Sequence, residues 1–142
     1  MLIGIPAIIS PDLLAILSKM GHGDEIVLAD ANFPGERLNS NIIRYDGSEI
    51  IDLLDAILHL FPLDKSAKTP WFIMKASDPL HYDNSIENKY FELLKKNAPN
   101  IEKAERLERF DFYERANKAF AVVMTGTKKR FSNIIIKKGT IF

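Results

Sequence analysis

The chain has 142 residues, 46% of them hydrophobic and 27% charged, with 19 basic residues balancing 19 acidic ones. That length suits one domain, residues 1–142, with a core that needs no staple, and the zero net charge offers no global field to nucleic acid or an anionic membrane. The absence of cysteine excludes disulfides, thiolate chemistry and thiolate metal sites and fits a reducing cytoplasm; neither a secretory leader nor a membrane span of ~18 apolar residues is expected.

Ser10-Pro11 opens a first helix, with Ser as N-cap and Pro at the first helical position. Its apolar stripe is Leu13, Leu14, Ile16, Leu17 and Met20, and Gly21 is the expected terminator. Ile26 to Ala29 is a continuous apolar run, the pattern of a strand buried on both faces. A loop and a short strand around Ile42-Ile43-Arg44 follow. Ser48 and Glu49 start a second helix that the apolar spacing carries to about Phe61, with Pro62 ending it. Trp71 to Met74 predicts a strand and Ser85 to Asn97 a helix, while Arg106 to Arg109 has no clear pattern. Phe110 to Lys118 predicts a helix, Phe120 to Met124 a strand, Thr125-Gly126 a turn, and Asn133 to Ile136 the last strand. Alternating helices and apolar strands predict an α/β fold, a three-layer α/β/α sandwich with a mainly parallel sheet of about six strands.

His22 stands between two glycines in Gly21-His22-Gly23-Asp24. An imidazole both gives and takes protons near neutrality, and flanking glycines leave it open to a ligand. The plainer reading is a polar residue in a surface turn. Asp30 ends the first strand, where ligands of open α/β sheets gather; equally, it suits an Asx-turn into Ala31-Asn32-Phe33-Pro34. Arg109 opens a stretch mixing aromatics with charge, and its guanidinium can donate to a hydroxyl or an oxyanion. Glu114, Arg115 and Lys118 read as solvated charges. Phe131-Ser132-Asn133 joins an apolar face to an amide, which suits a sugar, or makes an ordinary turn into a strand.

Three clusters are set aside. Asp52, Asp55 and His59 form the polar face of an amphipathic helix rather than a metal site. Asp78, His81 and Asp83 suit capping and turns. Lys128-Lys129-Arg130 lacks the aromatic interleaving of a nucleic-acid surface. No dinucleotide fingerprint or Walker-type loop is present.

Taken together, Ile9-Ser10-Pro11-Asp12-Leu13-Leu14, Gly21-His22-Gly23-Asp24-Glu25, Asp30-Ala31-Asn32-Phe33-Pro34, Phe112-Tyr113-Glu114-Arg115-Ala116, Lys118-Ala119-Phe120-Ala121-Val122 and Asn133-Ile134-Ile135-Ile136-Lys137-Lys138-Gly139 resemble the fucose mutarotase branch of the ribose pyranase/fucose mutarotase family, nearly end to end. The resemblance implies a cofactor-free isomerase acting on a monosaccharide, with no metal. It implies His22 as catalytic proton donor, Asp30 and Arg109 as sugar-binding residues, and Phe131, Ser132 and Asn133 closing the site. The family usually carries tyrosine where this chain has Phe131, so stacking on the sugar stays and a hydroxyl is gone. Ring-shaped homo-oligomers, often decamers, are also implied. Ribose pyranase activity, and sugar binding without turnover, are the alternatives.

One expectation comes from geometry. About five strand residues separate His22 from Asp30, roughly 16 Å at ~3.3 Å per residue. Either the Gly23-Asp24 turn folds His22 back, or a neighbouring subunit completes the site.

Overall fold

A computed structural model describes residues 1–142, the side chain of His81 excepted. Its elements are α1 (Pro11–Lys19), β1 (Glu25–Ala29), α2 (Gly35–Leu38), β2 (Ile42–Tyr45), α3 (Ile50–Leu58), β3 (Trp71–Met74), a 3-10 turn (Pro79–His81), α4 (Ser85–Asn97), β4 (Glu105–Leu107), α5 (Arg109–Lys118), β5 (Ala121–Thr125) and β6 (Ile134–Lys137). The six strands form one sheet in the order β2-β5-β1-β6-β3-β4. Neighbours β1/β5, β2/β5 and β3/β4 are parallel, whereas β6 runs antiparallel to both β1 and β3. The sheet is therefore mainly parallel, as the sequence predicts, with its reversed strand in the middle.

The strands are buried on both faces because helices cover both. On one face Ile26, Leu28, Val123, Ile134, Ile136, Trp71 and Ile73 pack with the apolar stripes of α1, α3 and α4. On the other, Val27, Ala29, Phe72, Met74, Val122, Met124 and Ile135 pack with Phe112 and Ala116 of α5 and with Phe33. Alternate residues of each strand point to opposite faces, so a continuous apolar run feeds two cores at once. The result is the expected three layers. Phe33 meets Phe112 edge-on at 5.8 Å between ring centres and pins the segment after β1 to α5.

Several boundaries differ from the sequence reading. α3 stops at Leu58 rather than Phe61, since His59 and Leu60 donate to carbonyls three residues back and tighten the chain ahead of Pro62. The unpatterned stretch before α5 becomes the edge strand β4, paired on one side only. Gly35–Leu38, expected as loop, makes one helical turn. β5 and β6 each sit one residue later than expected. Gly21 follows the cap of α1 without left-handed backbone; the positive φ falls at Gly23, at +86°. Arg115, expected in solvent, instead forks onto Glu25 with two bonds of 2.8 Å and lies 3.7 Å over the Phe72 ring. It braces α5 against the sheet.

Candidate functional site

The antiparallel β6 sorts the candidate residues onto two ends of the sheet. At the carboxyl end of β1, Leu28 faces Ile134; at its amino end, Glu25 faces Lys137. Asn133 therefore stands beside Asp30, while Lys138 and Gly139 stand beside the His22 turn.

At the carboxyl end Asp30 is 8% exposed. Its N–H donates to Asn133 Oδ1 at 2.7 Å, and its Oδ1 accepts from Asn32 N–H at 2.9 Å. The Asx-turn is thus real, and it aims the carboxylate rather than competing with a binding role. Burial pushes the Asp30 carboxyl above the usual carboxylate range, against the lowering effect of the Asn32 and Phe33 amides and the Asn133 side chain. Ser132 is fully buried, and its carbonyl accepts from the Tyr90 hydroxyl at 2.8 Å. Phe131 holds left-handed backbone, φ 59°, a conformation that costs energy in an aromatic residue and concentrates at functional sites. Its ring meets Tyr82 edge-on at 6.3 Å and lies beneath Arg130. Lys129 pairs with Asp83 at the same turn.

Arg109, the first residue of α5, follows β4, whose end lies on the same side of the sheet as that of β1. The guanidinium is exposed, donates to the Tyr113 hydroxyl at 3.2 Å and lies over the Phe110 and Tyr113 rings. Tyr113 in turn meets Phe33 edge-on at 5.6 Å, and the Phe33 N–H bonds the Asp30 carbonyl. Asp30, Arg109, Phe131, Ser132 and Asn133 thus share one end, with Tyr113 between Arg109 and Phe33.

His22 occupies the other end. Its side chain is 52% exposed and lines an open cavity of about 520 Å³ with Leu14, Leu17, Phe61, Lys138 and Ile141. Asp30 is not part of that lining. Behind the imidazole, Nε2 lies 3.2 Å from Oδ1 of Asp64, whose side chain is 8% exposed. The same oxygen accepts from Ser66 N–H at 2.9 Å and Ser66 Oγ at 2.6 Å. Burial raises the Asp64 carboxyl, but the Ser66 hydroxyl and amide and then His22 outweigh it and hold the carboxyl below its ordinary range.

The tail of β6 fastens both members of this pair. Gly23 N–H donates to the Lys138 carbonyl and Lys138 N–H to the Asp24 carbonyl, both at 2.8 Å. Lys138 Nζ reaches the Met20 carbonyl at 2.5 Å. On the other side Asp64 N–H donates to Lys137 and Gly139 N–H to Pro62. The turn is tied down away from Asp30, so it does not fold His22 back along β1. A Cβ on Gly139 would sit 2.4 Å from the Leu63 carbonyl, so only glycine permits this approach.

Among the described residues no group of three or more His, Cys, Asp or Glu is arranged to hold a metal. His59 Nδ1 lies 2.8 Å from the Asp55 carbonyl within its own helix. Of the Asp78, His81 and Asp83 group, the His81 side chain lies outside the described residues. Among the described residues no helix is long and apolar enough to cross a membrane.

Known proteins match along nearly the whole chain. The model of the RbsD / FucU transport protein family matches residues 3–141. An L-fucose mutarotase of Histophilus somni is 47% identical over 139 residues, spanning 98% of this chain and 96% of the relative. A fucose mutarotase of Streptococcus pneumoniae, solved in complex with L-fucose, superposes with TM-score 0.93 at 42% identity, covering 99% of this chain and 100% of that one. Bacillus subtilis RbsD, solved with D-ribose, shares the fold at TM-score 0.68 and 21% identity over 96% and 98% of the two chains.

Two outcomes are expected. Gly139→Ala forces Leu63 and Asp64 away from β6 and destabilises the fold by about 1–3 kcal/mol, read as a lower denaturation midpoint with unchanged slope. Asp64 stabilises the native state where its carboxyl is ionised in both states and loses that contribution as pH falls through its depressed native value. The stability gap between wild type and Asp64→Asn is therefore widest above the ordinary carboxylate range, ~4, and closes in acid, as urea titrations across pH will read.

Proposed function

Because the chain belongs to the RbsD / FucU transport protein family, we propose that it is an L-fucose mutarotase, a cofactor-independent isomerase interconverting the α and β anomers of the sugar. The carrying observation is the match, over 98% of this chain, to relatives that bear that name. The fold of the S. pneumoniae enzyme, solved with L-fucose, supports the same substrate more closely than the ribose-bound RbsD does. The compartment assigned with it is the cytoplasm.

Anomer exchange moves protons and nothing else. The anomeric O–H loses its proton as its electron pair becomes the C1=O bond. The C1–O5 pair leaves with the ring oxygen, which takes a proton. Rotation about C1–C2 and the reverse steps close the ring on the other face. General acid–base catalysis contributes ~10²–10⁴-fold when the group titrates near ambient pH, which an imidazole does. In this reading His22 gives the proton to the ring oxygen. Asp30 and Asn133 hold hydroxyls, Arg109 donates to sugar oxygens, and Phe131 with Ser132 walls the pocket.

The His22 and Asp30 ends of one chain stand apart by the length of β1, roughly 16 Å. A pyranose spans about a third of that. We therefore assign each site to two subunits of a homo-oligomer, one giving the His22 end and the other the Asp30 end, within a ring that in this family is often a decamer. Met1, Ile3, Ile141 and Phe142 are exposed apolar residues suited to subunit contact, and Ile141 borders the His22 cavity itself.

His22→Ala is expected to abolish catalysed anomer exchange in saturation-transfer NMR on L-fucose while its circular dichroism stays native. Unchanged exchange removes His22 from the mechanism. Running D-ribose and D-galactose alongside ranks the substrates, and binding without exchange selects the non-catalytic reading. Subunit sharing has its own test: dissociating and mixing inactive His22→Ala with inactive Asp30→Asn should restore activity. Mixed oligomers that stay inactive place the whole site within one chain.

A further inference from the structure

Resting on the reading of Phe131 as a wall of the sugar site, we propose that Tyr82 is a positioning residue that holds the Phe131 ring in place and so sets how tightly the sugar is bound. β3 runs with β1, because β6 is antiparallel to both. The segment leaving β3 therefore starts at the Asp30 end, and it meets the turn into β6 at two points. Tyr82 packs edge-on against the Phe131 ring, 6.3 Å between centres, and it is the only aromatic partner of that ring among the described residues. Its neighbour Asp83 pairs with Lys129, two positions before Phe131.

Phe131 needs such a partner. Its left-handed backbone, φ 59°, persists only where the surroundings over-determine it. Hydrogen bonds fix the two residues that follow: the Ser132 carbonyl accepts from the Tyr90 hydroxyl, and Asn133 Oδ1 accepts from the Asp30 N–H. Neither bond touches the Phe131 ring. Arg130 lies over that ring at 5.1 Å, but it is exposed and adjacent in the chain, so it travels with the turn. Tyr82 is anchored elsewhere. Its hydroxyl donates at 2.6 Å to Oε2 of Glu87, on α4, and the same oxygen accepts from Arg106 Nη2, on β4, at 2.5 Å. The Arg106 guanidinium also lies 5.7 Å from the centre of the Tyr82 ring, and the Glu87 side chain is only 12% exposed. Tyr82 is thus tied to two elements of the scaffold. With its hydroxyl engaged by Glu87, it acts on the sugar through Phe131 rather than by hydrogen-bonding the sugar itself. A wall held in place before the sugar arrives keeps the binding-competent conformer populated, and apparent affinity falls with any loss of that population.

The test follows L-fucose exchange by saturation-transfer NMR in wild type, Tyr82→Phe, Tyr82→Ala, Phe131→Ala and the Tyr82→Ala/Phe131→Ala double variant. Tyr82→Ala is expected to raise KM by roughly two- to tenfold, the range an edge-on aromatic pair contributes, with kcat unchanged. Tyr82→Phe, which keeps the ring, should stay closer to wild type. In the Phe131→Ala background the loss of Tyr82 should change KM no further, because the two rings act as a unit. A KM unchanged in Tyr82→Ala but raised in Phe131→Ala overturns the proposal alone. So does a rise that persists in full without Phe131, which makes Tyr82 an independent contact, or one as large in Tyr82→Phe, which assigns the effect to the hydroxyl. A KM unchanged in Phe131→Ala removes the wall reading and the proposal with it. Aromatic ¹H–¹³C spectra of the sugar-free protein read the contact apart from turnover: the Phe131 ring resonances should shift in Tyr82→Ala, and resonances that stay put overturn the proposal. If the wild type exchanges no sugar, the mutarotase assignment fails, and the same comparison made on the Kd for L-fucose by calorimetry decides the role of Tyr82.

Discussion

One reversed strand organises this molecule. In an all-parallel sheet every strand would deliver its functional loop to the carboxyl end, and the amino end would carry only connections. β6 runs the other way between β1 and β3. Its entry, Phe131-Ser132-Asn133, lies with Asp30 at one end, and its exit, Lys137-Lys138-Gly139, lies with the His22 turn at the other. The polar geometry at both ends is tied to this strand and the residues flanking it, through the Asn133 side chain at one end and main-chain hydrogen bonds at the other.

The two ends differ as physical environments. Asp30, Ser132 and Asn133 are buried, and every buried side-chain nitrogen or oxygen among the described residues has a hydrogen-bond partner. Such a network is costly to disturb and fixes positions closely. The His22 end is open, with a half-exposed imidazole over a wide cavity and only its rear atom engaged. A buried network of fixed polar groups suits recognition of hydroxyls. An accessible imidazole suits proton exchange. The division of labour follows from burial.

Much of the fold was legible in the sequence because its signals are local. The Ser10-Pro11 cap, the stripes of α1 and α3 and the apolar runs at Ile26, Trp71 and Ala121 each carry their own period. β4 was not legible: Glu105-Arg106-Leu107 is short and polar, and its pairing with β3 comes from tertiary context. His22, Asp30, Arg109 and the Phe131-Ser132-Asn133 segment stand out in the sequence as candidates by residue type, position and resemblance. Asp64 and Tyr113 were missed. Tyr113 looks like one more aromatic of a helix, and its partner Phe33 lies 80 positions away. Asp64 had a faint mark, an Asp two residues before Ser in a segment opened by proline, the pattern of an Asx-turn. Nothing local says that this carboxylate meets an imidazole 42 residues upstream.

The span of β6 also bears on how the chain tolerates change in length. Surface loops ordinarily absorb insertions at little cost. Between Asn133 and Gly139 no such freedom exists, because side chains alternate faces with a period of two residues and a slip of one reverses them all. Adding or deleting a residue there would turn Ile134, Ile135 and Ile136 into the wrong cores and displace the anchors at both ends together. The strand works as a ruler whose length is set by chemistry at two places.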